Sequence, residues 1–148
     1  MQDIFGHLEM EHESVAALFE EIFATDSEDV QLRLDLYEEL QEKLLTHSRG
    51  EERTFYIRLQ NEPELSDLVQ EALKEHKEME ELLDALVEID NTSPSWMETM
   101  NQLHSVVEAH VEKEEDEIFP RARRVLGEHE AAQLSQDMGT IEEHYRSA

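Results

Sequence analysis

The sequence predicts an all-α fold: an up-down-up-down antiparallel four-helix bundle followed by a short C-terminal helix. Apolar residues recur at helical spacing nearly throughout, as in Leu36, Leu40 and Leu44, and strand-like alternation is absent. The breaks between these segments are only a few residues long, and short connections favour antiparallel neighbours. The 148 residues are expected to form one domain, with a bundle core over about 3–125 and an extension over about 126–148.

Each predicted helix has recognisable start or stop signals. The four bundle helices are expected at about residues 3–24, 28–59, 64–90 and 95–125, and the short fifth helix at about 128–145. Pro63 and Pro94 stand where a first helical position would fall, each after polar capping residues, and Gly127 follows the fourth helix as a stop. Pro120 lies inside the fourth helix and is expected to kink or end it.

The composition excludes several classes of function. Thirty-eight acidic residues against twelve basic ones give a formal charge of −26, which disfavours binding to nucleic acid or anionic membranes. The absence of cysteine excludes disulfides, thiolate ligands and iron–sulfur clusters, and leaves nitrogen and oxygen as the strong metal donors. No apolar run is long enough to span a membrane, and the first residues lack the basic start of a signal peptide. We expect a soluble cytoplasmic protein, a monomer or dimer, whose partners are small molecules.

Four histidines recur with a spacing that matches the predicted helices. They are His12, His47, His76 and His110, at steps of 35, 29 and 34 residues. The midpoints between successive histidines fall in the polar breaks at 25–29, 61–63 and 91–94. Residues equidistant from a turn lie at the same height on the two helices that the turn joins, so the four imidazoles are expected in one layer of the bundle.

Two of these histidines carry a glutamate four residues on, which shares their helix face one turn away. These glutamates are Glu51 and Glu114. Two metal ions in a bundle core can share bridging carboxylates while each takes imidazoles from facing helices. We expect the histidines to be terminal ligands, two per metal, with the two glutamates as bridges and an oxo, hydroxo or water ligand between the metals. Oxygen, peroxide or nitric oxide could bind to such an unsaturated site.

The chain also looks like a duplicated helical hairpin. Glu11-His12 matches Glu75-His76 at an offset of 64, and the segment that begins at His47 matches the one at His110 at an offset of 63. Both later segments read HxxxEE, with aromatic residues shortly after. Two similar halves imply a pseudo-twofold axis along the bundle, with one metal on each side of it.

Other acidic residues near the site allow several interpretations. Glu80, four residues after His76, is either a seventh ligand, a hydrogen-bond partner that orients an imidazole, or a surface residue. Its counterpart Ala16 leaves space for an exogenous ligand. Glu52 and Glu115 are expected on solvated faces, although Glu115 could replace Glu114 as a ligand.

The remaining histidines and the aromatic residues are assigned to the surface and to the core, respectively. The surface histidines are expected to be His7, His104, His129 and His144. The expected core residues near the site are Phe19, Phe23, Phe55, Leu83 and Phe119.

These residues resemble the hemerythrin-like, or HHE cation-binding, family over about residues 3–125. The repeated HxxxEE followed by an aromatic residue, especially in the segment 110–120, looks like the hallmark of that family. The resemblance implies a non-haem di-iron centre in a four-helix bundle, whereas spacing alone does not choose between iron, manganese and zinc.

Within this family the chain departs from the oxygen-carrying hemerythrins. They have a further histidine where this chain has Glu80, and a carboxylate five residues after the histidine that corresponds to His110. The set of four histidines and two glutamates looks more like di-iron proteins linked to iron–sulfur cluster repair and nitric-oxide stress. Those proteins carry an additional cysteine-containing domain, and this sequence has no cysteine.

Four functions follow from this reading. The first is a di-iron protein that binds or senses oxygen or nitric oxide. The second is a di-iron oxidoreductase that acts on peroxide or nitric oxide, where Glu80 or Tyr56 could deliver protons. The third is iron storage or delivery for iron–sulfur cluster repair. The last is a metal-free interaction bundle, which predicts a purified protein without stoichiometric metal.

Overall fold

The computed structural model describes residues 2–147, which are helical apart from short connections. Its elements are α1 (Ile4–Phe23), α2 (Val30–Glu51), the π-helical segment π1 (Glu52–Tyr56), α3 (Ile57–Leu59), α4 (Ser66–Val87), α5 (Pro94–Lys113), the π-helical segment π2 (Glu114–Ile118), α6 (Phe119–Val125) and α7 (Glu128–Ser147). α2, π1 and α3 run on without a break, and so do α5, π2 and α6. The described residues therefore form five helical rods, and the predicted all-α antiparallel bundle is confirmed.

The order of two apolar clusters along the helices shows that successive helices run antiparallel. The first cluster includes the start of α1, the end of the α2–π1–α3 rod, the start of α4 and the end of the α5–π2–α6 rod. The second cluster takes the opposite part of each of these rods. Phe19, Phe55, Leu83 and Phe119 are buried in these clusters as expected, and Phe23 packs partly buried against the second.

The helix ends follow the capping chemistry of their sequences in two cases. Asp3 caps α1 by accepting a hydrogen bond from the backbone N–H of Gly6, and Ser93 caps α5 next to Pro94 in the first turn, as predicted. The prediction for Pro63 was wrong, because this residue lies in the turn before α4 and the helix begins at Ser66.

Pro120 neither ends nor interrupts its helix, which corrects the sequence-based prediction. Residues 94–125 remain helical throughout, and Pro120 lies in the first turn of α6, directly after π2. The π-helical turn that ends at Ile118 already departs from the i→i−4 hydrogen-bond pattern that a proline disrupts, and Pro120 follows that turn within the continuous rod.

The C-terminal helix is longer than predicted and is part of the fold. α7 spans 20 residues, as many as α1, and packs against α1, α2 and π1. Its buried residues Ala131, Leu134 and Met138 join the first apolar cluster. α7 comes close to α2 at Gly50, where an added Cβ would lie 3.0 Å from Met138 Cγ.

α7 also changes the environment of His7, which is not the surface residue that we predicted. The His7 side chain is 14% exposed and contacts Ser135 and Glu142 of α7. Spacing along α1 could not indicate this, because the contact depends on a helix 128 residues further along the chain.

None of the helices among residues 2–147 combines the length and apolar character that a membrane span requires.

Candidate metal centre

The four predicted histidines lie at one level of the bundle, where each separates the two apolar clusters along its own helix. His12 on α1 follows Leu8 of the first cluster and precedes Val15 of the second. His47 on α2 has the two clusters in the reverse order. All four imidazoles are buried, as expected for a layer inside the bundle.

The imidazoles form two pairs around two carboxylates. Two groups of side chains have donor atoms that lie within 4.8 Å of one another: His12, His47, Glu51 and Glu114 in one, and Glu51, His76 and His110 in the other. Glu51 belongs to both groups, as a bridging carboxylate would. The Nε2 atom of His76 lies 3.1 Å from Glu51 Oε1, and that of His12 lies 3.0 Å from Glu114 Oε1. The structure thus pairs α1 with α2 and α4 with α5, which spacing alone left open.

The donor set fits a bound cation. Several buried polar atoms at the centre have no hydrogen-bond partner among residues 2–147: Nε2 of His12, Nε2 of His47, both carboxylate oxygens of Glu51 and Oε1 of Glu114. The 3.0 Å contact between His12 and Glu114 is close but is not aligned as a hydrogen bond. An unsatisfied buried polar group costs about 1–3 kcal/mol, and coordination to a cation removes that cost. Nitrogen and carboxylate donors together suit iron, manganese or zinc.

The two buried glutamates, Glu51 and Glu114, also favour a positive charge between them. Burial and the neighbouring Glu51 carboxylate raise the pKa of Glu114. Burial by itself would raise the pKa of Glu51, but His47, His110 and His76 hold it well below its ordinary value. Two adjacent carboxylates, both with no exposed surface, therefore need compensating protons or metal ions.

The second ring nitrogen of each of these four histidines donates a hydrogen bond to a glutamate on a neighbouring helix. The Nδ1 partners are Glu115 for His12 (2.7 Å), Glu11 for His47 (2.7 Å), Glu52 for His76 (2.7 Å) and Glu75 for His110 (2.6 Å). We call these four glutamates the outer ring. A carboxylate on Nδ1 fixes the ring orientation and leaves Nε2 free for a metal, which is the usual arrangement at histidine–metal sites.

The outer ring was not predicted, although the sequence contains its signal. Glu11 and Glu75 directly precede a predicted ligand, and Glu52 and Glu115 directly follow one. The expectation of solvated faces is only partly right for Glu52 and Glu115: their side chains are 25% and 37% exposed, but each also accepts a hydrogen bond from an imidazole of a neighbouring helix. The π-helical segment π1 begins at Glu52 and π2 begins at Glu114. Such π-helical turns are frequent at functional sites.

One residue makes the two halves of the site chemically different. Phe119 stacks on His12 with ring centroids 6.4 Å apart, and Tyr56, at the matching position of the duplication, stacks on His76 at 5.4 Å. The Tyr56 hydroxyl donates to Glu114 Oε2 at 2.5 Å. Burial and the Glu114 carboxylate raise the pKa of Tyr56, so the phenol keeps its proton.

Glu80 does not join the two groups of donor atoms. It forms an ion pair with Arg49 and its side chain is 31% exposed. The structure therefore supports neither direct ligation by Glu80 nor a hydrogen bond from it to an imidazole.

His129 and His144 are exposed, in agreement with the prediction that they lie on the surface, whereas His104 is partly buried against the ring of Phe19.

A narrow apolar cavity adjoins the histidines on the side of the second cluster. It is lined by the four histidines, Glu11 and the apolar side chains Val15, Leu44, Met79, Val107 and Val111. Its volume is about 10 Å³, close to the minimum that holds one water molecule. The cavity admits only small molecules to the imidazoles.

Comparison with known proteins identifies the class of this bundle. The family model described as the hemerythrin HHE cation-binding domain matches residues 3–122. The chain belongs to this family, and the resemblance found in the sequence is confirmed. The described residues thus combine an HHE fold with a buried cluster of histidines and glutamates suited to a cation.

Two individual proteins are similar to this chain. One is a hemerythrin HHE cation-binding domain-containing protein from Mycobacterium kansasii, whose crystal structure superposes with a TM-score of 0.87 at 25% identity and covers 99% of this chain and 89% of that one. The other is a DNA nickase from Nostoc sp., 29% identical over 133 residues. The match includes 90% of this chain but only 36% of the nickase, so the chain spans about a third of that relative.

Proposed function

We propose that this protein holds two iron ions, joined by an oxo or hydroxo bridge, and that it binds or senses oxygen or nitric oxide there. The ligands in this proposal are His12 and His47 for one ion, His76 and His110 for the other, with Glu51 and Glu114 as bridges. Two observations carry it: buried donor atoms of His12, His47, Glu51 and Glu114 have no hydrogen-bond partner, and the outer ring orients all four imidazoles. When bound, a pair of irons supplies redox-active centres that can take up a small ligand.

The residues around the centre support a small ligand and an asymmetric site. Four donor side chains converge beside His12 and His47, but only three converge beside His76 and His110. The side of α4 and α5 therefore has fewer protein donors, which favours that side for an exogenous ligand. The small apolar cavity excludes larger substrates and bulk water from the imidazoles.

A second candidate function is the reduction of peroxide or nitric oxide. Tyr56 favours it, because the oxygen of its protonated hydroxyl lies 2.5 Å from Glu114 Oε2 and the phenol could deliver its proton inside a site closed to water. An oxidoreductase predicts turnover with an added reductant, whereas a binding or sensing protein predicts stoichiometric uptake of the ligand. Iron storage or delivery predicts metal that exchanges readily, which the buried donors and the outer ring disfavour.

The charge of the chain supports a small-molecule ligand rather than nucleic acid. A net charge of −26 repels a polyanion, and phosphate contacts supply most of the affinity of nucleic-acid-binding proteins. The activity on DNA in the name of the Nostoc relative belongs to a protein of which this chain matches 36%. We propose no such activity for this chain.

The test is iron content combined with optical spectroscopy on His110→Ala. The wild-type protein is expected to bind about two irons per chain, with a near-ultraviolet band that bleaches on reduction and returns with oxygen. His110→Ala should lose at least one iron and the reversible band. His104→Ala, on the same helix but outside both donor groups, is the matched control and should retain both.

Two results would contradict this proposal. Wild-type protein that is purified without iron and takes up none under anaerobic conditions would support the metal-free bundle. Equal iron content in His110→Ala and His104→Ala would show that the histidine layer does not hold the metal.

A further inference from the structure

We propose that His7, Glu11 and Glu142 form a third metal site, separate from the two groups of the dinuclear centre, for one divalent transition-metal ion. His7 and Glu11 lie one turn apart on α1, and Glu142 reaches them from α7. One donor atom from each of the three side chains lies within 4.8 Å of the other two. We call this arrangement the α1–α7 site.

The contacts within the α1–α7 site converge on one ring nitrogen. Nε2 of His7 lies 2.8 Å from Glu142 Oε1 and 3.1 Å from Glu11 Oε2. An imidazole carries at most one hydrogen on Nε2 and cannot donate it fully to two carboxylates. Convergence of one imidazole nitrogen and two carboxylate oxygens is a donor set suited to zinc, manganese or iron.

The independent sign of a ligand at this site is the second oxygen of Glu142. The residue is only 2% exposed, and its Oε2 atom is buried without a hydrogen-bond partner in the described part of the chain. Even with His7 protonated, this oxygen stays unsatisfied, because the contact of His7 is with Oε1. A cation beside the Glu142 carboxylate would satisfy the atom that a proton on His7 leaves unpaired.

The surroundings of the α1–α7 site hold it in place. Ser135 Oγ lies 3.0 Å from Nδ1 of His7 and fixes the imidazole, as an outer partner does at histidine–metal sites. Gly50 allows α7 to approach α2, because an added Cβ would lie 3.1 Å from Cγ of Glu142. A cavity of about 90 Å³, lined in part by Glu11 and Glu142, gives an ion a route from the surface.

The α1–α7 site is also adjacent to the dinuclear centre. Glu11 accepts from His7 through Oε2 and from His47 through Oε1, so a single carboxylate belongs to both environments. Occupation of the α1–α7 site should therefore alter the environment of His47. The optical band of the dinuclear centre is expected to shift when the third ion binds.

The test counts metal in protein as purified. Iron is measured by elemental analysis, and Mn²⁺ is then titrated with the free ion followed by electron paramagnetic resonance. Total bound metal is expected to be one equivalent per chain lower in Glu142→Gln than in wild type, at a Mn²⁺ concentration that just saturates the wild type. Loss of nearly the whole equivalent at that concentration requires the affinity for this ion to fall by about 100-fold or more.

Matched variants separate a metal site from a structural role. Asp137→Asn changes an exposed carboxylate on the same helix and should bind as much metal as the wild type. Glu142→Gln keeps the size of the side chain, and unfolding in urea checks that α7 remains docked. His7→Ala should remove the same equivalent. An anomalous diffraction map at the manganese edge should place the ion between His7 and Glu142.

Equal metal totals in wild type, Glu142→Gln and His7→Ala would overturn the proposal. His7, Glu11 and Glu142 would then be held together by a shared proton and not by a metal ion. A total that falls by one only in these variants supports it, whether or not the dinuclear centre contains iron. Failure of the function proposed above is read separately, from the iron content of His110→Ala.

Discussion

At the scale of single residues, the two nitrogens of each buried imidazole face different partners. In His110, Nδ1 donates to Glu75 at 2.6 Å and Nε2 faces the centre, 3.9 Å from Glu51 Oε1. Glu75 is itself held by Lys113 at 2.8 Å. Burial would raise the pKa of Glu75, but the bonds from His110 and Lys113 lower it to about 2, so it remains an acceptor at neutral pH.

Replacing one member of the outer ring should weaken metal binding without removing a ligand. In Glu75→Gln the charged acceptor on Nδ1 of His110 is lost, and metal affinity is expected to fall by about 10–100-fold. Competition with a chelator of known affinity measures the change. Glu78→Gln, an exposed glutamate on the same helix, should have wild-type affinity. Equal affinities of the two variants would show that the outer ring does not support the metal.

Tyr56 provides a second prediction at this scale, concerning the stability of the metal-free protein. Tyr56→Phe keeps the ring that stacks on His76 but removes the donor to Glu114, a carboxylate with no exposed surface. The free energy of unfolding should fall by about 1–3 kcal/mol, measured by urea titration after metal removal. Tyr145→Phe on α7 is the control. A Tyr56→Phe variant as stable as this control would contradict the expected role of the hydrogen bond.

At the scale of elements, the two interrupted rods and α7 determine how the site is built. In a regular α-helix, consecutive side chains point about 100° apart. Glu51 faces the centre, and its neighbour Glu52 reaches Nδ1 of His76. The segment π1 begins at Glu52. The π2 segment begins one residue earlier in the repeat, at Glu114. The duplicated sequence thus produces the same local departure from α-helical geometry twice.

The packing of α7 on α2 depends on the small size of Gly50. A methyl group there would lie 3.0 Å from Met138 Cγ and 3.1 Å from Glu142 Cγ. Gly50→Ala is therefore expected to lower the free energy of unfolding by about 1–3 kcal/mol through overpacking. Gly139→Ala, in α7 with no atom within 4 Å of the new Cβ, should raise it by about 0.5–1 kcal/mol. Urea unfolding of the two variants compares them, and a stabilised Gly50→Ala would show that α7 can shift without cost.

At the scale of the whole molecule, the buried cluster of histidines and glutamates lies where the two apolar clusters meet. Each half of the duplication supplies one hairpin, one histidine pair and one buried glutamate. Metal ions held by this cluster would join the two halves of the bundle, so metal binding and folding are expected to be coupled.

Removal of metal should therefore lower the melting temperature. With free metal at 100 times its Kd, binding contributes about 2.7 kcal/mol to the folded state. Calorimetry of the wild type before and after treatment with a chelator measures this loss. Glu51→Gln, which lacks a carboxylate common to both donor groups, should show a smaller difference. A wild-type protein that melts at the same temperature with and without metal would contradict the coupling.

Much of the site could be predicted because it follows from periodicity. The spacing of His12, His47, His76 and His110 about polar breaks depends only on the constant rise of an α-helix and on short connections. The HxxxE pairs follow from the same geometry, since residues four apart share a face. The boundary at Pro63 and the effect of Pro120 were predicted wrongly, because turn geometry and π-helical turns are set by neighbours that local sequence rules do not include.

The sequence by itself determined the fold class, the family, the layer of four histidines and the two buried glutamates. Only the tertiary structure decided the pairing of the imidazoles, the outer ring, the Arg49 partner of Glu80 and the contact of His7 with α7. The physical reason is that helical periodicity fixes the face and height of a side chain on its own helix. Which neighbouring helix that face meets is settled by packing between segments that lie far apart in the chain.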